Sequence, residues 1–449
     1  MAITQIAAID PAITRKRQRD TLAYSALLYF SFLYYARPED LIPGLSIIPM
    51  EKITGGIALL ALVAALAGSK IKTKFPLELK LLLMMFMQMI LTIPFAVAWR
   101  GGAFHTVFSK FSKGVIVALL ITLLVQSLPQ LRKLLLVQAA AVALMTISSV
   151  IIHPGGMRLQ GVLGGIFQNP NDLAINIAIN WPLCLALFFR ARDIGKKLFW
   201  LICLVGMLYA VVATYSRSGL LAMIVSVLVC LWEFAIRGRR FHLLILAGVL
   251  AIVGAGIALS TPHYVQRMKS LFSENVEGLP ERDRGSVEAR RDLLKQSIHL
   301  TFQNPIFGVG PGNFPVVTES WRVAHNTYTE LSAEGGIPAL ILFVLILGLA
   351  FRNVRRVRKT VEYAGNKEIQ LFTGAMWASL AAYVVGAAFA STEYQLFPYF
   401  MVAYTSVLYR LASQPIQEAE GLPRGSQRDQ TGRRELRDEA RKPEFAWNR

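Results

Sequence analysis

An all-α bundle that crosses a membrane about a dozen times is the fold class this sequence predicts, and three observations predict it. Hydrophobic residues make up 54% of the chain and charged residues only 17%, against roughly 25% charge in a soluble domain. The apolar residues gather into runs of about 17–24, the length that spans a bilayer. Basic residues then concentrate in alternate connections between those runs, the pattern of cytoplasmic loops.

In chain order the runs are 21–36, 52–68, 77–98, 115–126, 134–152, 172–189, 197–214, 218–236, 241–260, 337–351, 371–390 and 395–412. Those at 21–36 and 77–98 are weaker, because polar residues or proline interrupt them. Soluble helices carry one apolar stripe, whereas most of these runs are apolar on every face. With the N-terminus cytoplasmic, the inside connections hold 23 Lys and Arg and the short outside ones hold seven: Arg37, Lys52, Arg100, Lys110, Lys113, Arg158 and Arg217. The net charge of +19 is therefore a topology signal, and it calls for no nucleic-acid partner.

These boundaries give a cytoplasmic N-terminal tail at 1–20, transmembrane helices one to nine at 21–260, and a long outside loop at 261–324. Transmembrane helices ten to twelve follow at 325–412, then a polar cytoplasmic tail at 413–449 expected to be disordered. The first apolar run lacks a small-residue cleavage site and reads as an uncleaved helix. Cys184, Cys203 and Cys230 all fall inside apolar runs, as packing residues do, and suggest no disulfide or metal framework. The segment RPEDLIPGLSIIPME (37–51), with three prolines, reads as an ordered external turn.

Long loops on compact scaffolds carry function more often than short ones, so 261–324 is the first place to look for chemistry. Within it, 286–303 has helical periodicity, with Ser286 as N-cap and Val287, Leu294, Ile298 and Phe302 as an apolar stripe. That stripe suits a helix lying on the membrane or docking on the bundle. Asn304-Pro305 ends it, and GVGPGNF (308–314) supplies a glycine-rich turn.

Four segments on the outer side hold residue types that do chemistry. AHNTYTELSAEGGIPA (324–339) places His325, Asn326, Tyr328 and Glu334 at the mouth of the tenth helix. An ionisable group at a membrane boundary serves a site or finds a partner, although a histidine there can simply meet water. TYSRSG (214–219) joins two helices with almost no loop and holds Arg217 at membrane depth. Such an arginine either snorkels to headgroups or receives an anion, since its fork matches phosphate oxygens at two points. Arg290 and Arg291 sit on the loop helix, Arg291 near the middle of the stripe and Arg290 at its edge, so helical geometry alone favours Arg291. MRLQGVLGGIFQNPNDLA (157–174) offers Arg158 and an Asn169-Pro170-Asn171-Asp172 turn that reads as a helix N-cap.

The order NPNDLA, YSRSG, R-x14-P-x2-GVGPGNF and HN-x-Y-x5-E-x-G resembles the O-antigen ligase and polymerase superfamily across residues 158 to about 345. The family's loop arginine precedes the proline of the P-x2-G turn by fifteen residues, which corresponds to Arg290 here. The resemblance implies a multi-pass protein of the bacterial inner membrane with its active site facing the periplasm. It implies a metal-independent transferase that takes a glycan from undecaprenyl pyrophosphate and joins it to an acceptor hydroxyl, on lipid A–core saccharide in ligases or another lipid-linked repeat unit in polymerases. His325, Arg217 and Arg290 are then the expected catalytic residues. Arg158, Arg291, Asn171, Asn326 and Tyr328 are the expected substrate contacts, with membrane lipids around them and no cofactor or metal.

Metal independence accords with the outer acidic residues, of which Glu319, Glu330 and Glu334 read as scattered. An anion-selective transporter is the competing class, but the sequence shows neither internal symmetry nor charges deep in the helices. A scaffold for other envelope enzymes would leave the arginines and His325 unexplained.

Overall fold

In a computed structural model of the chain, the described residues are 11–41, 45–67, 75–152, 158–161, 167, 169–241, 244–245, 248, 281–360 and 366–421. They form helices α1 (Pro11–Ala36), α2 (Met50–Ala67), α3 (Leu77–Thr92), α4 (Arg100–Leu124), α5 (Leu128–Ile152), α6 (Pro170–Arg190), α7 (Ile194–Ala213), α8 (Arg217–Ile236), α9 (Glu281–Gln303), α10 (Thr327–Lys359), α11 (Lys367–Ala387) and α12 (Phe397–Gly421). The structure is all-helical among the described residues, as the apolar periodicity predicts. Among the described residues, eight helices are long and apolar enough to cross a membrane, with shorter apolar helices at Leu22–Ala36 and Lys52–Ala64. The predicted span at 241–260 lies almost entirely outside the described residues. In the C-terminal tail, α12 continues the chain as helix to Gly421, where disorder was expected from 413; the remainder is outside the described residues.

Helices α6, α8 and α11 pack as one group and α3, α10 and α12 as another, with α4 against α12 and α5 against α6. Lipid supplies little hydrophobic drive between helices, so close approach matters more. A Cβ added at Gly219 on α8 would lie 2.1 Å from the Ala174 Cβ on α6, and one at Gly114 would enter the Tyr399 ring. These glycines let the helices touch. A buried polar ladder ties α12, α5 and α6: Tyr404 donates to Gln138 Oε1 (2.5 Å), Gln138 donates to Asn180 Oδ1 (2.7 Å), and Asn180 donates to the Asn176 carbonyl (2.8 Å). Cys184, Cys203 and Cys230 are buried and unpaired, as packing residues.

Two ends of the bundle differ in chemistry. At one, Glu368 pairs with Arg132 and Arg190, and Glu233 pairs with Arg358 at 2.8 Å. At the other, the starts of α6, α8 and α10 meet the α11–α12 connection. Ser216 donates to Asn171 Oδ1 across α8 and α6, and Thr327 donates to the Ala390 carbonyl across α10 and that connection. The described residues of the predicted outer motifs belong to this second end.

Helix α10 is broken. Gly336 has φ 78° and ψ 170°, a conformation that glycine reaches without penalty. Its break frees carbonyls that a continuous helix would use, and the glycine-rich turn takes them up: Val309 donates to Ala333 (2.7 Å) and Gly310 to Glu334 (3.0 Å). Ile337 turns instead to the Pro305 carbonyl at 2.8 Å. The following residue, Pro338, has no N–H to lose. The turn and the broken helix are thus one unit.

Candidate active site

The first cluster is built on the start of α8. Ser216 caps that helix, its Oγ accepting from Gly219 N at 3.1 Å, and Tyr215 before it adopts a positive φ of 48° to make the tight turn. Arg217 is therefore the first helical residue, half-buried, where the positive end of the helix dipole already favours an anion. Arg158 Nε donates to the Thr214 carbonyl at 3.0 Å, and Leu159 N donates to Ala213 at 2.9 Å. The segment carrying Arg158 is thereby tied to the turn carrying Arg217. Asn171 is buried, and its side chain accepts from Ser216. Asn169 is the N-cap of α6, accepting from Asn171 N at 2.9 Å, as its turn signature predicts.

The second cluster is built by α9 docking on α10. The structure corrects the sequence reading of α9 in two respects. It extends back to Glu281, so Ser286 is inside the helix and not its cap. Its buried face is Leu293, Ser297 and Thr301, while Ile298 and Phe302 of the predicted stripe are exposed. Leu293 packs with Phe314, Ala324 and Ala333, and the Thr301 and Ser332 hydroxyls meet at 2.9 Å. A helix that docks on small residues of another buries hydroxyls and short side chains, and hydropathy does not flag that face. Consequently Arg290, one turn before Leu293, lies on the docked side and is half-buried, whereas Arg291 is exposed. Motif spacing selected the inward arginine and the helical-wheel argument did not.

Arg290 meets His325 electrostatically. Burial first, then the positive charges of Arg290 and Arg322, lower the His325 pKa to about 4. The imidazole is therefore neutral, able to accept a proton. It precedes Asn326, the N-cap of α10, whose side chain accepts from Tyr328 N (3.0 Å) and Thr329 N (3.2 Å). The Tyr328 hydroxyl donates to the Val384 carbonyl at 2.9 Å, and so ties α10 to α11. In this structure Asn326 and Tyr328 therefore build the scaffold.

The outer glutamates are not scattered, contrary to expectation. Glu330, Glu334 and Glu393 are buried together, each offering a carboxylate oxygen within 4.8 Å of the others, while Glu319 is exposed and outside the group. Glu334 accepts from Gly312 N (2.7 Å), Phe314 N (3.0 Å) and the Tyr394 hydroxyl (2.6 Å), holding the glycine-rich turn from below. Glu330 accepts from Ala324 N at 2.8 Å and from the Ser391 hydroxyl, and so anchors the residue next to His325. Glu393, in the α11–α12 connection, has its carboxyl pushed up by burial, then by Glu330 and Glu334, and also by Asp172 at the start of α6. It is thus electrostatically linked to both clusters.

Sequence reasoning missed Arg322, Glu393 and Tyr394. For the last two, the only local signal was TEYQ (392–395), a polar interruption between two apolar runs.

Comparison with known proteins agrees with the motif resemblance. The O-Antigen ligase family matches the chain over residues 202–344, which contain Arg217, Arg290 and His325. Teichuronic acid biosynthesis protein TuaE of Bacillus subtilis (strain 168) is 22% identical over 293 residues, covering 60% of this chain and 57% of that protein. The chain thus aligns with little more than half of that relative's length.

Proposed function

We propose that the O-antigen ligase segment at 202–344 makes this chain a membrane glycosyltransferase, moving a glycan from undecaprenyl pyrophosphate to the hydroxyl of a lipid A–core saccharide. The observation that carries this reading is the pairing of Arg290 with a neutral, half-buried His325 at the end of the bundle that also holds Arg217. In the step, the acceptor oxygen attacks the anomeric carbon as the bond to the pyrophosphate oxygen breaks. The acceptor proton passes to the His325 ring, and the bonding electrons leave with the pyrophosphate. Charge on that leaving group grows toward the transition state, so fixed guanidinium groups stabilise the transition state more than the bound donor. Arg217 and Arg290 take this role, with Arg158 positioning the turn beside Arg217 and Asn171 holding that turn through Ser216. The chemistry drawn this way needs no metal ion at the reacting atoms. Its setting is the inner membrane, with the site facing the periplasm.

A second reading is a polymerase, in which the acceptor is another lipid-linked repeat unit. It gains support from the relative named for teichuronic acid biosynthesis. The same arginines and histidine would act in either case.

Arginine-to-lysine substitutions test the proposal, because lysine keeps the charge but loses the forked contact. Arg217→Lys and Arg290→Lys should each reduce transfer roughly 10²-fold or more, the usual scale for a lost transition-state donor. Arg291→Lys, on the exposed side, should transfer like wild type. Full activity in both of the first two variants at equal protein level would reduce these arginines to lipid anchors.

A further inference from the structure

Glu330, Glu334 and Glu393 are each at most 3% exposed, and their carboxylate oxygens converge within 4.8 Å. Two of the three are engaged by donors from the protein: Glu330 by Ala324 N and Ser391, Glu334 by Gly312 N, Phe314 N and Tyr394. The third is not. Glu393 Oε2 is buried without a hydrogen-bond partner, and Tyr399 takes only the Glu393 main-chain carbonyl. A buried acceptor left unmatched costs about 1–3 kcal/mol, and more when it carries charge. Neighbouring carboxylates add repulsion in a medium that screens poorly. Lys110 exerts a field on Glu330 and Glu334, yet among the described residues it forms no ion pair with any of the three.

We infer that these three side chains form a binding site for one hard divalent cation, of the calcium or magnesium kind. Carboxylate oxygens are the ligands such cations select, and the trio includes no histidine or thiolate to favour a softer metal. Calcium holds its ligands at about 2.3–2.6 Å, so opposite oxygens in its shell stand about 4.8 Å apart. The observed convergence falls within that limit. A Glu393 carboxylate oxygen completes the trio, and the cation cancels two of three negative charges. Its structural effect follows from where the ligands are. Glu330 and Glu334 belong to the outer turns of α10, Glu393 to the α11–α12 connection, and Glu330 also holds Ala324 beside His325. The cation therefore clamps the turn that carries His325. It acts by position, whatever reaction the outer face performs.

Glu393→Gln tests this, because Glu393 Oε2 has no hydrogen-bond partner to lose and the replacement is isosteric. Full-length protein in lipid nanodiscs would be stripped with EDTA, dialysed, and titrated with Ca²⁺ and separately with Mn²⁺ read by electron paramagnetic resonance. Wild type should bind one ion per chain, saturably, and its thermal unfolding midpoint should rise as the ion is added. Glu393→Gln should lose both responses, yet in EDTA it should be at least as stable as wild type, since a buried repulsion is gone. Absence of saturable binding up to about 10 mM, weaker than extracellular calcium modules, would overturn the site. So would equal binding by the Gln variant, or its instability in EDTA. No substrate enters these measurements, so failure of the transferase reading would leave their outcome unchanged.

Discussion

His325 has φ 55°, a left-handed conformation that costs a non-glycine residue about 1–2 kcal/mol. The turn is held by Glu330 accepting from Ala324 N on one side and by the Asn326 cap on the other. The ring it presents is kept neutral by burial, Arg290 and Arg322. The sign of the pH effect follows. A histidine whose folded pKa is about 4 stays unprotonated far below the ordinary value of 6.5. Its proton-accepting form is therefore lost only as pH falls through about 4, whereas stability tied to the neutral ring is lost progressively as pH falls from about 6.5 to about 4. If His325 accepts the acceptor's proton, the acid limb of kcat/KM should lie near 4. Arg290→Gln should shift that limb upward toward 6.5, because one of the repelling charges is removed. A limb near 6.5 in wild type would contradict the assignment. His325→Gln, which can hydrogen-bond but cannot take a proton near neutral pH, should slow transfer roughly 10²–10⁴-fold with little change in donor binding.

Among the elements, the broken α10 and the glycine-rich turn depend on each other. Glu334→Ala would leave the amides of Gly312 and Phe314 buried without an acceptor, at about 1–3 kcal/mol each. The variant should unfold at a lower temperature and be cut by protease between Pro305 and Ala324 in otherwise folded protein. Wild-type protease resistance would show that the turn is held by something else. Gly336→Ala should be as damaging, since its Cβ would lie 2.2 Å from the Ile306 carbonyl oxygen at a φ of 78°. Here sequence and structure part company for a physical reason. The spans were readable because twenty-odd apolar residues leave few alternatives, and the Asn169 cap was locally encoded. The docked face of α9 was not, because it buries Ser297 and Thr301 against small partners on α10. Nor was the carboxylate trio, which unites Glu393 with two residues about sixty positions earlier through the packing of the α11–α12 connection. Local periodicity has no access to such pairings.

For the whole molecule, orientation comes from charge. The basic end carries the Glu368 and Glu233 ion pairs, and the opposite end carries the two clusters. Because all three native cysteines are buried, introduced cysteines can report sidedness alone. An impermeant maleimide added to intact cells should label Gly278→Cys, whereas Arg192→Cys should label only after the inner membrane is opened. The reverse pattern would turn the protein over and move the proposed site to the cytoplasm. The two clusters were predicted separately from four short motifs, and the fold brings them to one end of the bundle through Asn171–Ser216 and Thr327–Ala390.

The central claim is that this end of the bundle transfers glycan from a polyprenyl pyrophosphate. Purified protein in nanodiscs, given undecaprenyl-pyrophosphate-linked glycan together with lipid A–core saccharide, tests it most directly. Free undecaprenyl pyrophosphate and glycosylated acceptor would both be counted. The two products should appear in equal amounts with wild type, and both should fall together in Arg217→Lys, Arg290→Lys and His325→Gln. With a second lipid-linked glycan as the acceptor instead, equal counts would identify the polymerase. Intact donor after incubation of folded wild-type protein with either acceptor would contradict the account.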